Sequence, residues 1–425
     1  MVHSYGGQQA GATGVPCRSA IVVGAGVVGV ASAYALARRG VAVTLIDSQH
    51  EAGRGTSFAN GAQLSYVYTD ALASPSLLRH APGLLLGVDP AFRLRMNFDS
   101  GYFSWLLRFL RNTSAGRFRA NTLEALRLGL ESRAAMHRLL ESHPLDFGHA
   151  STGKLHIYDS ADSFAATADV VAMKRSAGAI QERLTPAEAL SIEPALRARL
   201  DPFAGAVYSP QEEGGDPYRF CNGLLQVLRT QYSVSVQLGT EVKEVRDSAA
   251  GASVVTTTGE HIVADALVIC AGIEARRFLG RLGMKGTLVP MKGYSFNAPQ
   301  GPAAPRTSIT DVSRKFVLCP LNGKIRVAGR ADLGAPDASV DGSELARLIG
   351  TARSILPQAA DYSRAGDGWA GLRSMTANSL PVIRRVGARL ALNVGHGMLG
   401  WTFAMGSAER LAGLLLGEQD KAGKP

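Results

Sequence analysis

The segment Ala20–Asp47 restricts the fold more than any other part of the chain. An all-apolar run, Ala20 to Val23, leads into Gly24-Ala25-Gly26-Val27-Val28-Gly29, and Val27 to Arg39 then reads as a helix rich in small residues. Val41 to Ile46 is a second apolar run, closed by Asp47. Strand, helix and second strand within about thirty residues make a βαβ unit. In that setting GxGxxG has a physical reason at each glycine. The first permits the tight turn, the second lets backbone approach a pyrophosphate, and the third lets helix and strand pack closely. The helix start offers free N–H groups and a positive dipole end to phosphates. Asp47 stands 18 residues beyond Gly29, where an acid receives ribose hydroxyls and disfavours a 2′-phosphate. The ordinary alternative, a Gly-rich turn in some other α/β protein, explains neither the second strand nor the acid.

Further along, residues 75–199 are mostly helical in pattern. Residues 203–208 and 233–270 alternate β-branched side chains and predict a small antiparallel meander ending in a strand, Ala266 to Ile269. Strands return at Phe316–Leu318 and Ile325–Ala328, a helix at Ser343–Ile355, then a strand at Leu390–Val394, a Gly-rich turn and a last helix to about Leu416. The run Ala264 to Gly272 ends an apolar strand in a small-residue turn. It resembles the second short motif of two-dinucleotide-binding-type flavoproteins and favours FAD over NAD.

Composition excludes several classes. Hydrophobic residues are 46% and charged residues 19% of 425, as in ordinary globular proteins. The net charge of +10 comes with no zinc-finger spacing, no basic helix joined to heptads and no RNP motif, so nucleic acid is not the expected partner. The four cysteines form no CxxC and read as reduced thiols of an intracellular protein. No HExxH or other metal spacing and no GxSxG elbow occurs, so no metal is expected. Residues 1–18 read as a flexible leader without a signal h-region, and no apolar stretch is long enough to span a bilayer. Between Pro75 and Ala120, seven arginines (79, 93, 95, 108, 111, 117, 119) accompany Leu84 to Leu86 and Tyr102 to Leu110. Core helices with solvated arginines are one reading. Peripheral contact with a lipid interface, at the cytoplasmic face of an inner membrane, is the other.

Several segments carry a family resemblance: Thr56 to Ser65, Glu213 to Asp216, Pro290 to Ser295, Trp369 to Arg373 and Gly395 to Thr402. In that order, and with the fingerprint, they resemble the D-amino acid dehydrogenase group of the D-amino acid oxidase-like FAD enzymes, from Ser19 to Leu416. The resemblance implies an α/β fold: an FAD-binding Rossmann-like domain, of the two-dinucleotide-binding type, plus a substrate domain with mixed β-sheet and helices. The FAD domain would use 19–75, 200–275 and 366–425, the substrate domain 76–199 and 276–365. The implied activity is hydride transfer from Cα of a D-amino acid to flavin N5. The imino acid hydrolyses to a 2-oxo acid, and electrons go to a quinone or another acceptor. Two departures stand out: Asn60-Gly61-Ala62 where the group reads Asn-Ala-Gly, and Thr376-Ala377-Asn378-Ser379 where it reads Thr-Pro-Asp-Gly.

The resemblance places a carboxylate-binding arginine at Arg373, whose guanidinium can grip a carboxylate through two parallel hydrogen bonds. Tyr294 is a candidate second donor to that carboxylate or a pocket-lining ring, with an ordinary core aromatic as the alternative. FAD, bound non-covalently, would take Gly24, Gly26, Val27, Val28, Gly29 and Asp47 at its nucleotide end, with Val242, Ala271 and Gly272. Ser57, Asn60 and Gln63 would supply polar contacts. Gly395, His396, Gly397, Met398, Leu399 and Gly400 would bring backbone close to the flavin. A dehydrogenase of D-proline or hydroxy-D-proline, an oxygen-using glycine or sarcosine oxidase, and a non-catalytic flavin-binding regulator stay open at this point.

Overall fold

The computed structural model describes residues 17–77, 92–95, 99–249, 251–366 and 368–418. Most of the expected leader, Arg79 and the Leu84–Leu86 run lie outside the described residues.

Among those residues, a six-stranded sheet is built around β1 (Ser19–Val23). It is flanked by β2 (Ala42–Asp47) and β13 (Ala266–Ile269), and extended in parallel by β9 (Ser235–Leu238) and β20 (Leu390–Val394). An antiparallel edge strand, β19 (Val382–Arg385), closes one side. A parallel strand covered on both faces is apolar throughout. Accordingly Ala20 and Val22 meet the helical layer of Val27–Ala37, Pro217–Gln231 and Gly400–Leu416. Ile21 and Val23 instead meet β10 (Val242–Asp247), β11 (Ala252–Thr256) and β12 (His261–Ala264), which form the meander. The strand expected to open that meander is β9, and it pairs with β2 in the parallel sheet instead. Alternation specifies a strand but not its partner.

A nine-stranded sheet forms the second body. Its order is β18 (Trp369–Met375), β14 (Val289–Pro299), β17 (Lys324–Leu333), β16 (Phe316–Leu321), β15 (Ser308–Asp311), β5 (Lys154–Tyr158), β7 (Gly205–Ser209) and β6 (Glu182–Leu184), with β4 (Phe92–Leu94) beside β17. Helices Ser100–Arg111 and Ala115–Ser142 dominate the region read as helical, but β5 and β6 interrupt it. Strands β7 and β18 join this sheet, although they lie in segments expected to build the dinucleotide domain. One face carries Leu155, Ile157, Ile309, Leu318 and Phe296 into a core closed by the helix Gly342–Ile355. The other, bearing Lys154, Thr310, Val317, Ala328 and Ser295, borders a cavity. A two-stranded ribbon, β3 (Gln63–Leu64) with β8 (Glu213–Gly214), lies alongside.

The two departures from the family pattern have a backbone meaning. Ala62 sits at φ 57° and Ser379 at φ 64°, the left-handed region, at the two positions where the group reads glycine. A β-carbon there costs ~1–2 kcal/mol. Ser379 recovers part of that, because its hydroxyl accepts the Leu72 N–H at 3.0 Å. Ala62 has no such side-chain compensation. Ala62→Gly should therefore raise unfolding stability by ~1 kcal/mol after the entropy cost of glycine, measured by denaturant titration. A variant no more stable than the parent would show that Ala62 is not strained.

Candidate flavin and substrate site

The cavity measures about 1820 Å³, well beyond the ~300–1,000 Å³ of an ordinary single-ligand pocket. Its nucleotide end lies where β1 and β2 finish, at Val23, Gly24, Gly26, Ile46 and Asp47. The helix Val27–Ala37 starts there after Gly26, which has no side chain to cap it, so Val27 and Val28 present a helix N-terminus to the space. Ser57 Oγ accepts the Val27 N–H at 3.2 Å, and a β-carbon on Gly26 would stand only 3.2 Å from that oxygen. Asp47 accepts the N–H groups of Ala25 (2.5 Å) and Gln49 (2.8 Å), while burial raises its pKa. Val242, Ala271 and Gly272 complete this end. Gly29 does not reach the cavity. A β-carbon on it would lie 1.7 Å from the Gly24 carbonyl oxygen, so it serves helix–strand packing.

From Ser57 the chain runs across the cavity face of the nine-stranded sheet, touching its strands in spatial order. Thr56 Oγ1 donates to Leu372 O on β18 at 2.7 Å. Ser295 on β14 donates to Ala59 O, and Arg326 on β17 to Asn60 O at 2.9 Å. Gly61 lies against Val317 of β16, Cys319 Sγ approaches Ala62 O, and Lys154 of β5 donates to Ser65 Oγ at 2.8 Å. Asn60 Oδ1 caps this turn by accepting the Ala62 N–H. Gln63, midway along, borders the cavity with its Nε2 buried and without a partner among the described residues.

His396 closes the opposite wall with Gly397, Met398, Leu399 and Gly400, while Gly395 stays behind it in a turn at φ 81°. Ser407 Oγ donates to Ala404 O and stands 3.0 Å from His396 Nε2. Burial pushes the His396 pKa down to about 3, leaving the ring neutral.

Arg373 projects from β18 into the cavity. Its guanidinium packs onto Gly293, where a β-carbon would fall 2.3 Å from Nη2. Its recorded hydrogen bond is a long one to Arg330 O, 3.5 Å, and no carboxylate among the described residues pairs with it. Burial lowers its pKa to about 10. Tyr294 also borders the cavity, but its hydroxyl makes no hydrogen bond to Arg373. Strand alternation turns Tyr294 to the face opposite Gly293, into the core with Phe296, Leu348 and Tyr362. Its hydroxyl is buried there without a partner among the described residues, and burial raises its pKa to about 12.

A polar cluster that motif reading missed borders the same cavity. Lys154 and Tyr68 line it, and the Tyr68 ring stacks on His156 with centroids 3.7 Å apart. Lys154 Nζ stands 4.9 Å and Lys174 Nζ 5.8 Å from that ring's centre, and Lys174 also pairs with Asp70 at 2.9 Å. Glu212 accepts the successive N–H groups of Tyr66, Val67 and Tyr68. Burial lowers the Lys154 pKa and raises that of Glu212. The available signal was Lys154-Leu155-His156-Ile157, a strict period-2 pattern inside a region read as helical.

A helix N-terminus facing the cavity, a half-buried acid at the end of β2 and an orphaned amide on the cavity wall suit a flavin dinucleotide. Comparison with known proteins agrees. Residues 19–414 match the family described as DAO, FAD dependent oxidoreductase. The chain is 38% identical to D-amino acid dehydrogenase 2 of Ralstonia nicotianae, covering 93% of this chain and 95% of that one. It is likewise 38% identical to D-amino acid dehydrogenase 2 of Pseudomonas aeruginosa, covering 92% and 93%. In fold it is similar to glycine oxidase from Geobacillus kaustophilus, with TM-score 0.71, 21% identity and coverage of 93% and 94%. L-proline dehydrogenase from P. horikoshii gives TM-score 0.73 at 18% identity and 96% coverage of both. The chain belongs to the DAO family of FAD-dependent oxidoreductases.

Proposed function

We propose that this oxidoreductase is a D-amino acid dehydrogenase, with Arg373 as the anchor of the substrate carboxylate. FAD, when bound, supplies the hydride acceptor. The substrate Cα gives up its hydride and the nitrogen a proton. Water then converts the imino acid to a 2-oxo acid and ammonia. The observation that carries the reading is Arg373 itself: a guanidinium set in the cavity, held on Gly293 and without a carboxylate partner among the described residues. A buried cation without a counter-ion is costly, so its place in the wall makes sense when an anion completes it. Orientation is the main task the protein has in such a reaction, and a two-point grip on a carboxylate provides it. The relatives named D-amino acid dehydrogenase supply the substrate class. Neutral His396, with Gly397 to Gly400, and the segment Ser57–Gln63 would hold FAD in place.

For the electron acceptor we favour a membrane quinone or an equivalent carrier. The helix Ser100–Arg111 buries Tyr102, Trp105 and Phe109 but exposes Phe103, Leu107 and Leu110, with Arg108 and Arg111 in its last turn. Leu106, Phe109 and Leu110 also line the cavity, so the apolar stripe continues into the site. No helix among the described residues is long and apolar enough to cross a membrane. A peripheral contact on anionic lipid fits this surface.

Two measurements test these readings. Anaerobic addition of D-amino acids should bleach the yellow enzyme, while Arg373→Met should lower kcat/KM by ~100-fold or more with its flavin spectrum retained. Bleaching by D-proline or sarcosine alone would move the substrate to those classes, and an unimpaired Arg373→Met would remove Arg373 from the mechanism. In vesicle flotation the protein should rise with anionic liposomes at low salt, and Leu107→Glu should rise less. Protein that stays at the bottom under both conditions would rule the membrane contact out.

A further inference from the structure

We infer that Lys154, Thr310 and Tyr68 form a second anchoring point for the substrate, one that takes a side chain ending in an oxygen acceptor, a carboxylate above all. The inference rests on the reading of Arg373 as the α-carboxylate anchor.

Three observations support it independently. Lys154 is 3% exposed, yet its ammonium lies on the cavity wall with Ser65 Oγ as its hydrogen-bond partner. An ammonium has three donors, and no carboxylate among the described residues lies within ion-pair distance of this one. Thr310, 7% exposed and also on the wall, has a buried Oγ1 without a hydrogen-bond partner among the described residues. In β15 it faces the cavity beside His156 of β5, so its hydroxyl and the Lys154 ammonium belong to one face of adjacent strands. Tyr68 lines the same cavity, held by its stack on His156 and by the Glu212 carboxylate, which accepts its backbone N–H. Buried donors are normally satisfied, and a rigid, partly unsatisfied set on the wall of a cavity points to a ligand that completes it.

The geometry also explains why a cation stands there at all. The opposite alternation of β5 sends Leu155 and Ile157 into a core, so the face of Lys154 and His156 could have been apolar at no cost to the sheet. Lys174 forms an ion pair with Asp70 at 2.9 Å, whereas the buried Glu212 carboxylate that offsets the Lys154 charge stands beyond ion-pair distance. Arg373 and Lys154 enter the cavity from β18 and β5, far apart in strand order, each on a long side chain. A ligand with an anion or acceptor at each end satisfies both, and an aliphatic side chain satisfies one.

The test compares dicarboxylic D-amino acids of increasing length with the D-amino acids that carry a methyl group in place of the distal carboxylate. In the wild-type enzyme the best dicarboxylic substrate should surpass its methyl counterpart in kcat/KM. Lys154→Met should lower that ratio by about 30-fold, and Thr310→Val by about 5-fold. An unchanged ratio in folded, yellow Lys154→Met and Thr310→Val enzymes would overturn the inference. If Lys154→Met does not fold, Thr310→Val and Lys154→Arg decide by the same ratio. Calorimetry with glutarate and butyrate separates this inference from the substrate reading. Glutarate binding that Lys154→Met weakens would support the subsite even if no D-amino acid were oxidised. Equal affinity for the two acids would reject it whatever the substrate proves to be.

Discussion

The segment Thr56–Ser65 is the constraint on which the site depends. Its near end is tied to the start of the first helix through Ser57, and its middle lies across the nine-stranded sheet from β18 to β16. Its far end is held by Lys154. Most of these ties use backbone carbonyls as acceptors, so the path of the chain is specified more strongly than its side chains. The nucleotide end and the Arg373 wall thereby keep a defined separation, although they belong to different sheets. Small side chains at Gly26 and Gly61 permit the close passage, and Asn60 stiffens the turn.

A large share of the architecture could be read locally. Ala20 to Asp47 contains its own strand, helix and turn chemistry within one short stretch, and it folds as read. Leu390–Val394 and the following glycines are equally self-contained. What could not be read is partnership. β9 has the alternation of a meander strand, but Val236 packs against the core of the parallel sheet. β5 is a short strand flanked by helices, and its neighbours β15 and β7 are distant in sequence. The stretch from Pro75 to Arg199 therefore looked more helical than it is.

The same limit applies to the site. Arg373 stood out because the residues around it form a distinctive run, and its side chain lines the cavity. Tyr294 illustrates the opposite case. Its neighbour Gly293 touches the Arg373 guanidinium, so a shift of one position on a strand decides which residue meets the substrate side. Lys154 and Thr310 acquire meaning only when β5 and β15 lie side by side. No spacing in the chain announces that pairing.

The strand order of the parallel sheet has a consequence for how the protein is made. β1 pairs with β13, and β13 with β20, so neighbours in space are separated by much of the chain. Such long-range pairings must close large loops before they are rewarded, which makes folding slow. A ribosome that has synthesised the fingerprint still has to deliver Leu390–Val394 before the sheet is complete. Closure of the sheet beside the dinucleotide site thus waits on a strand made long after the fingerprint.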